Sequence, residues 1–254
     1  MKRGMRFVAL VAVSVSATAA LAQKTPDIAE VATWKVKPGA GAAFAAGRQK
    51  HMEFHRAQKD SFSWLTWEVI TGDGLGQFYT GTFGHYWKDF DGREKFDALD
   101  QADVAKSTGA FAEVVNDGYW TLMPDASRAK PGATAPPAFS QLTHYFVNLA
   151  DVARFEEALS EAKVALDKLQ WPVYSNWYRL LSGGEGPHYV LSTGRENWAA
   201  FALPEKSVLE GLTEALGPQK ATEIVQTVRS STHRIYSEIL AYHPEMSYVA
   251  PTGN

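Results

Sequence analysis

The chain has 254 residues, of which 45% are hydrophobic, 12% aromatic and 21% charged, and its formal net charge is −3. This length and composition predict one or two folded domains and exclude a disordered or low-complexity chain, and the slight acidic excess argues against a dedicated nucleic-acid-binding protein. The chain has no cysteine, which excludes disulfides, a thiolate nucleophile and cysteine-ligated metal centres.

The first 22 residues have the pattern of a secretory signal peptide. Lys2, Arg3 and Arg6 precede an uncharged stretch that ends in Ala-Leu-Ala at residues 20–22. A basic start, a short apolar segment and small residues before the cleavage point are typical of such peptides, and the stretch is too short to span a bilayer. Cleavage removes three positive charges and changes the net charge from −3 to −6. We expect a soluble, periplasmic or secreted protein without a membrane span.

Residues 27–125 are predicted to alternate strands and helices. Segments rich in β-branched and aromatic residues predict strands, whereas segments rich in Ala, Gln, Lys and Glu without Pro predict helices. The glycine-rich turn at residues 72–76 predicts a β-hairpin. The predicted elements are a strand at 28–37, a helix at 42–59, strands at 62–71 and 77–86, a helix at 100–116 and a strand at 119–123.

Residues 139–246 are predicted to repeat this order. The elements are a strand at 141–148, a helix at 151–169, strands at 173–181 and 188–193, helices at 206–216 and 218–231, and a strand at 235–242. The Pro- and Gly-containing segment 126–138 predicts a linker between the halves, and residues 247–254 form a tail. The halves also align as sequences: Trp67 falls on Trp177 at an offset of 110, and Phe44 falls on Phe155 at an offset of 111.

Each half therefore has the order β-α-β-β-α-β of a ferredoxin-like unit. Two helices cover one face of such a sheet, and the other face needs a partner, which a second copy supplies. We predict an α+β fold in which two tandem ferredoxin-like repeats pack sheet to sheet as a single-chain α/β barrel.

With this element order and duplication, residues 27–245 resemble the dimeric α/β-barrel superfamily. That group includes antibiotic-biosynthesis-type monooxygenases, NIPSNAP-like proteins, stress-responsive A/B barrel proteins and chlorite-dismutase-like haem proteins. The resemblance implies the fold, and the chain carries no catalytic motif of a particular member.

His51 and His55 are candidate metal ligands. At positions i and i+4 of a predicted helix they share one face, so both imidazoles can reach a single ion. A third ligand must then come from a distant residue such as His85 or Glu68. The alternative is that the two histidines only pack against neighbouring aromatic side chains.

Strand parity predicts a ligand-binding face. Alternate residues of a strand share a face, and two aligned faces present Trp64, Thr66 and Glu68 in the first half and Tyr174, Asn176 and Tyr178 in the second. If these line the space between the sheets, they form an aromatic cavity suited to a planar or apolar ligand. In that setting Glu68 would have a raised pKa and could act as a catalytic proton donor or acceptor. The alternative is a packed core.

His85, His144 and His188 lie on predicted strands. In an architecture like that of the chlorite-dismutase group, any of them could be an axial haem ligand. The alternative is a buried, hydrogen-bonded histidine.

Three functions follow from these features. The leading hypothesis is an exported protein that binds a small apolar or aromatic ligand between its sheets and needs no cofactor. The second is a cofactor-independent monooxygenase-like or a haem-dependent enzyme. The third is a structural or assembly module. The sequence leaves open the identity of the ligand and whether copies of the chain form a homo-oligomer.

Overall fold

A computed structural model describes residues 23–133, 135–202 and 204–251, so the predicted signal peptide lies outside the described residues. The element order follows the sequence prediction, including the two consecutive helices near the end of the second half. The elements are β1 (Ile28–Val36), α1 (Gly41–Gln58), β2 (Leu65–Val69), β3 (Gln77–His85), α2 (Glu94–Ser107), β4 (Ala112–Leu122), β5 (Phe139–Val147), α3 (Val152–Lys168), β6 (Ser175–Ser182), β7 (His188–Arg195), α4 (Val208–Leu216), α5 (Pro218–Ser231) and β8 (Thr232–Tyr242).

The eight strands form one closed antiparallel barrel in the order β1-β3-β2-β8-β5-β7-β6-β4. Strands of the first half pair as β4-β1-β3-β2 and those of the second half as β8-β5-β7-β6. The two groups join where β2 pairs with β8 and where β4 pairs with β6. The predicted two packed sheets are therefore a single continuous barrel, and a closed barrel leaves no unpaired strand edge.

The helices cover the outside of the barrel. Phe44 on α1 packs on Phe78 of β3 with ring centroids 4.8 Å apart, and Phe155 on α3 packs on Tyr189 of β7 at 4.9 Å. Phe44, Phe155 and Tyr189 are all fully buried. Leu212 of α4, together with α5, packs on α3 as a further helical layer. Burial of these large side chains holds the helices to the sheet.

The predicted helix at 100–116 is wrong in its second part. The helix α2 ends at Ser107, and residues 112–117 lie in β4, where they pair with β1. Val114 and Val115 fit a helical spacing in the sequence, but their β-branched side chains also favour a strand. Both are about half exposed in the structure, so they do not form the buried face that the helix prediction required.

The register of the two halves differs by one residue from the sequence alignment that paired Trp67 with Trp177. The backbone N–H of Thr66 donates to Ser247 Oγ at 2.9 Å, and the backbone N–H of Trp177 donates to Ser127 Oγ at 2.8 Å. Thr66, rather than Trp67, therefore occupies the position that corresponds to Trp177. A one-residue shift exchanges the two faces of a strand.

Candidate functional site

A partly open cavity of about 1290 Å³ extends into the barrel. Its wall is largely aromatic and aliphatic and includes Leu65, Trp67, Phe83, Trp120, Tyr178 and Leu240. A concave, mostly apolar site with a few polar groups is the usual form of a small-molecule binding site. The interior of this barrel is thus a cavity and not a completely filled core.

A chain of buried and partly buried polar side chains lies along the cavity wall. Glu238 on β8 is 2% exposed. Its Oε1 accepts a 2.8 Å hydrogen bond from the hydroxyl of Tyr79 and lies 3.1 Å from His144 Nε2. His144 Nδ1 is in turn 3.0 Å from His188 Nε2. Four strands thus place four polar groups in one connected network, which restricts their orientations.

Aromatic rings hold both histidines in place. Tyr236 stacks on His144 with centroids 4.3 Å apart, and Phe146 stacks on His188 at 4.2 Å. Burial, together with the charges of His144 and Arg234, lowers the pKa of His188 to about 3. His188 is therefore a neutral imidazole at neutral pH.

The second-half residues of the predicted ligand-binding face lie at the cavity. Tyr174, Asn176 and Tyr178 all line it. Burial raises the pKa of Tyr178 to about 12, so its hydroxyl is a hydrogen-bond donor at neutral pH. Whether these residues bind a ligand stays a prediction.

The predicted placement of the first-half residues inside the barrel is wrong, because the register shift turns them to the outer face. Thr66 donates from its hydroxyl to the carbonyl of Met246 at 2.7 Å. Glu68 is 37% exposed, and its carboxylate lies 3.3 Å from His243 Nε2. Trp64 donates from its ring nitrogen to Asp60 at 2.9 Å. Leu65 and Trp67 line the cavity instead.

The buried carboxylate that contacts the cavity wall, through Tyr79 and His144, is Glu238 and not Glu68, the residue proposed for proton transfer. The sequence pattern of β8 places Glu238 on one face with three alternating residues that line the cavity: Arg234, Tyr236 and Leu240. Glu238 itself contacts the cavity-lining residue His144. Without the strand pairing, however, nothing in the sequence shows that this face points inward.

His51 and His55 lie on the outer helical layer, where α1 faces α2. Both are almost fully buried. His51 Nδ1 is 2.8 Å from Asp103, and His55 Nδ1 is 2.9 Å from Asp60. The two Nε2 atoms lie 3.1 Å from each other, and each lies 3.3 Å from Asp100 Oδ1. His51, His55 and Asp100 form a possible metal-binding group. In the described parts of the chain, it is the one group of three His, Cys, Asp or Glu side chains whose potential ligand atoms all lie within 4.8 Å of one another.

The acid that joins the histidine pair is thus Asp100 of α2, and neither of the two residues suggested from the sequence. His85 stacks on Phe62 with centroids 3.8 Å apart, and Glu68 pairs with His243. Asp97, Asp100 and Asp103 recur every third residue along α2, which was a signal for an acidic helix face. Its position opposite α1 depends on tertiary packing.

Comparison with known proteins supports the fold. No family model matches the chain, and no curated protein matches it. Among solved structures, a candidate monooxygenase from Lactobacillus acidophilus NCFM has a TM-score of 0.53 at 10% identity over 88% of this chain and 96% of that chain. An anthrone oxidase-like protein has a TM-score of 0.55 at 11% identity, over 91% of this chain and 97% of that chain. Chlorite dismutase from Candidatus Nitrospira defluvii, solved with imidazole, has a TM-score of 0.53 at 8% identity, over 88% of this chain and 93% of that chain. The chain has the dimeric α/β-barrel fold.

The histidine cluster is held by further charged groups. Burial acts to raise the pKa of Asp60, but hydrogen bonds from His55, Arg93 and Trp64 hold it well below its usual range. Asp60 is therefore a carboxylate. Arg93 Nη1 lies 3.0 Å from it, and this ion pair fixes the carboxylate against His55.

Arg48 completes the surroundings of the cluster. It is 3% exposed, and its Nε donates to Thr66 Oγ1 at 3.3 Å. Burial, followed by the charge of Arg48, lowers the pKa of His51 to about 3, whereas burial raises that of Asp100. His51 is thus a neutral imidazole, the form in which histidine binds metal ions.

No helix in the described part of the chain combines the length and the apolar composition needed to cross a bilayer.

Proposed function

We propose that the protein is exported and binds a small aromatic or apolar molecule inside its barrel. The observation that carries this proposal is a set of buried polar atoms at the cavity wall that have no hydrogen-bond partner among the described residues: Trp67 Nε1, Asn176 Oδ1 and Arg195 Nε. A buried polar group without a partner costs about 1–3 kcal/mol. A ligand with both apolar surface and polar atoms would satisfy these groups.

The chemistry of the wall defines the ligand class. Trp67 and Arg195 offer N–H donors, and Asn176 offers an acceptor oxygen. Rings such as Trp120 and Tyr178 supply flat apolar surface. A planar aromatic molecule that carries a carbonyl or hydroxyl oxygen matches both requirements, because ring faces pack on one another while its oxygen meets the donors.

We also interpret the chain as two tandem ferredoxin-like repeats, residues 27–125 and 139–246, joined by the linker 126–138. The equivalent hydrogen bonds to Ser127 and Ser247 support this interpretation. So do the equivalent strand orders of the two halves. Because one chain closes the barrel, a homo-oligomer would form through the outer surface.

The second candidate function is catalysis of the monooxygenase-like or haem-dependent type. It is favoured by the names of the structural neighbours and by the two histidines at the cavity. His144 uses both ring nitrogens in contacts with Glu238 and His188, so it offers no free ligand atom. Nδ1 of His188 makes no hydrogen bond within the described chain, and His188 would hold the iron of a haem, which would supply redox chemistry.

The experiment is a ligand titration of the exported chain. Anthrone tests the donors with a tricyclic ketone, naphthol tests Asn176 with a hydroxyl group, and haemin tests the second candidate through its absorption spectrum. We expect saturable binding of at least one aromatic probe, a higher melting temperature with it, and weaker binding of naphthol by Asn176→Leu. If neither aromatic probe binds, the binding proposal is wrong and the structural-module interpretation is favoured. A Soret band that is lost in His188→Ala would instead support the haem-dependent enzyme.

A further inference from the structure

We propose that His51, His55 and Asp100 bind one divalent transition-metal ion of the zinc class. This site lies between α1 and α2, outside the barrel cavity, and it is independent of the ligand-binding proposal. Helix α1 supplies the two imidazoles, and helix α2 supplies the carboxylate.

The three candidate ligand atoms form a nearly equilateral triangle. Its sides are 3.1 Å between the two Nε2 atoms and 3.3 Å from each of them to Asp100 Oδ1. Ligand atoms about 2.0 Å from a tetrahedral zinc ion are separated by about 3.3 Å. An ion just above the centre of this triangle would therefore be within bonding distance of all three atoms without movement of either helix.

With each Nδ1 donating to the carboxylate that it faces, all three atoms of the triangle present lone pairs to one another. Each Nδ1 of the pair faces a carboxylate, so it carries the proton and the Nε2 atom presents its lone pair. Asp100 Oδ1, the third of these atoms, is a buried oxygen without a hydrogen-bond partner in the part of the chain that the structure describes. Three acceptor atoms in mutual contact repel one another, and a bound cation removes that repulsion.

The carboxylates behind the histidines have the arrangement found around bound metal ions. A metal-ligating histidine usually donates its other N–H to a carboxylate, which fixes the tautomer and the ring orientation. Here Asp103 is the acceptor for His51 Nδ1 at 2.8 Å, and Asp60 is the acceptor for His55 Nδ1 at 2.9 Å. Tyr248 stacks on the His55 ring with centroids 5.8 Å apart and donates from its hydroxyl to the backbone carbonyl of Asp60 at 2.8 Å.

The donor set selects the class of ion. Two imidazole nitrogens and one carboxylate oxygen suit Zn²⁺ and neighbouring transition metals, whereas Ca²⁺ and Mg²⁺ prefer sites made of oxygen atoms. Three protein ligands leave a coordination position for water or another molecule, as in catalytic rather than structural zinc sites. Asp100 is 23% exposed whereas both histidines are buried, so the solvent-facing side of the site is at α2.

The test is a calorimetric titration of the exported chain with ZnCl₂, after chelator treatment and without a polyhistidine tag. We expect one Zn²⁺ per chain and a higher melting temperature when it is bound. Asp100→Asn should weaken binding at least about tenfold. Asp97→Asn is the matched control, because it makes the same change one turn earlier on the same helix at a half-exposed carboxylate, and it should leave the affinity within about twofold.

A second pair of measurements covers the case in which a variant does not fold. The first measurement uses the unaltered chain, so it does not depend on whether a variant folds. Failure of this chain to bind Zn²⁺, Co²⁺ or Fe²⁺ would overturn the proposal. Binding that is equally tight in the unaltered chain, Asp100→Asn and His51→Gln, all with cooperative unfolding, would also overturn it. A Co²⁺ absorption spectrum typical of tetrahedral coordination that disappears in His51→Gln would support it.

Discussion

Tyr79 and Glu238 meet inside the barrel, where the tyrosine hydroxyl donates a 2.8 Å hydrogen bond to a carboxylate that is 2% exposed. Tyr79 belongs to the first half of the chain and Glu238 to the last strand. The contact therefore ties the two halves together at the point where β2 and β8 close the barrel.

Glu238→Leu is expected to destabilise the protein strongly. The change removes the acceptor for the hydroxyl of the partly buried Tyr79 and the partner of the buried His144. Breaking such a network from one side costs about 2–4 kcal/mol of unfolding free energy. Glu238→Gln keeps a similar shape and an acceptor oxygen and should cost about 1 kcal/mol. Urea unfolding measures both, and equal stabilities of the two variants would contradict the assigned network.

His188 is expected to make stability depend on pH. The folded chain holds its pKa at about 3, below the ordinary value of 6.5, chiefly through burial and then through His144 and Arg234. Between these values the unfolded chain binds a proton that the folded chain does not, so the stabilisation present above pH 6.5 is lost as the pH falls toward 3.

Comparison with a variant isolates this histidine from the other groups that titrate in acid. His144, Arg234 and, through His144, Glu238 are the charged or titratable groups that face it. Allowing for partial solvent access, we expect the unaltered chain to lose about 1–2 kcal/mol more than His188→Gln between pH 7 and pH 4.5. Parallel pH profiles of the two proteins in urea unfolding would show that His188 does not cause the loss.

Gly47 is expected to control how closely α1 approaches α2. A Cβ atom at this position would collide with the carbonyl oxygen of Ser107 and lie 2.9 Å from its carbon, whereas one at Gly41 of the same helix would meet nothing within 4 Å. Gly47→Ala should therefore cost about 1–3 kcal/mol through overpacking. It should also weaken Zn²⁺ binding, because it separates the helices that carry His51 and Asp100. Gly41→Ala is the control and should be neutral or slightly stabilising. Equal stability of the two variants would argue against the close helix contact.

Export is expected to produce a chain that begins at Gln23. The basic, apolar and small-residue segments of residues 1–22 predict cleavage after Ala22. Mass spectrometry of the protein recovered from the periplasm or the medium measures the new N-terminus. Recovery only from the cytoplasm with residues 1–22 still attached would contradict the assignment.

Most of the fold could be predicted because its elements are encoded locally. The positions of α1, α3 and the β2–β3 hairpin follow from composition, periodicity and glycine-rich turns. The closing pairs β2 with β8 and β4 with β6 join segments far apart in the chain, and no local pattern specifies them. The end of α2 could not be predicted locally either, because the helical spacing of apolar residues continues into the β-branched residues of β4.

The candidate sites were harder to predict because they depend on register and packing. Trp67 and Trp177 are the most conspicuous aligned residues, yet they lie on opposite faces of the barrel wall, and that single-residue shift moved Glu68 out of the cavity. His51 and His55 were identified from helical spacing alone. Asp100 could not be identified in this way, because its place beside them depends on the close approach at Gly47.

The most direct test of ligand binding in the barrel is the tryptophan fluorescence of three proteins titrated with anthrone. Trp67 lines the cavity, whereas Trp87 is 47% exposed on the outer layer. The account predicts saturable quenching in the unaltered chain, quenching of smaller amplitude in Trp67→Phe, and the same absolute amplitude of quenching in Trp87→Phe as in the unaltered chain. Saturable quenching that persists at full amplitude in Trp67→Phe and is lost in Trp87→Phe would place the ligand outside the barrel and contradict the account.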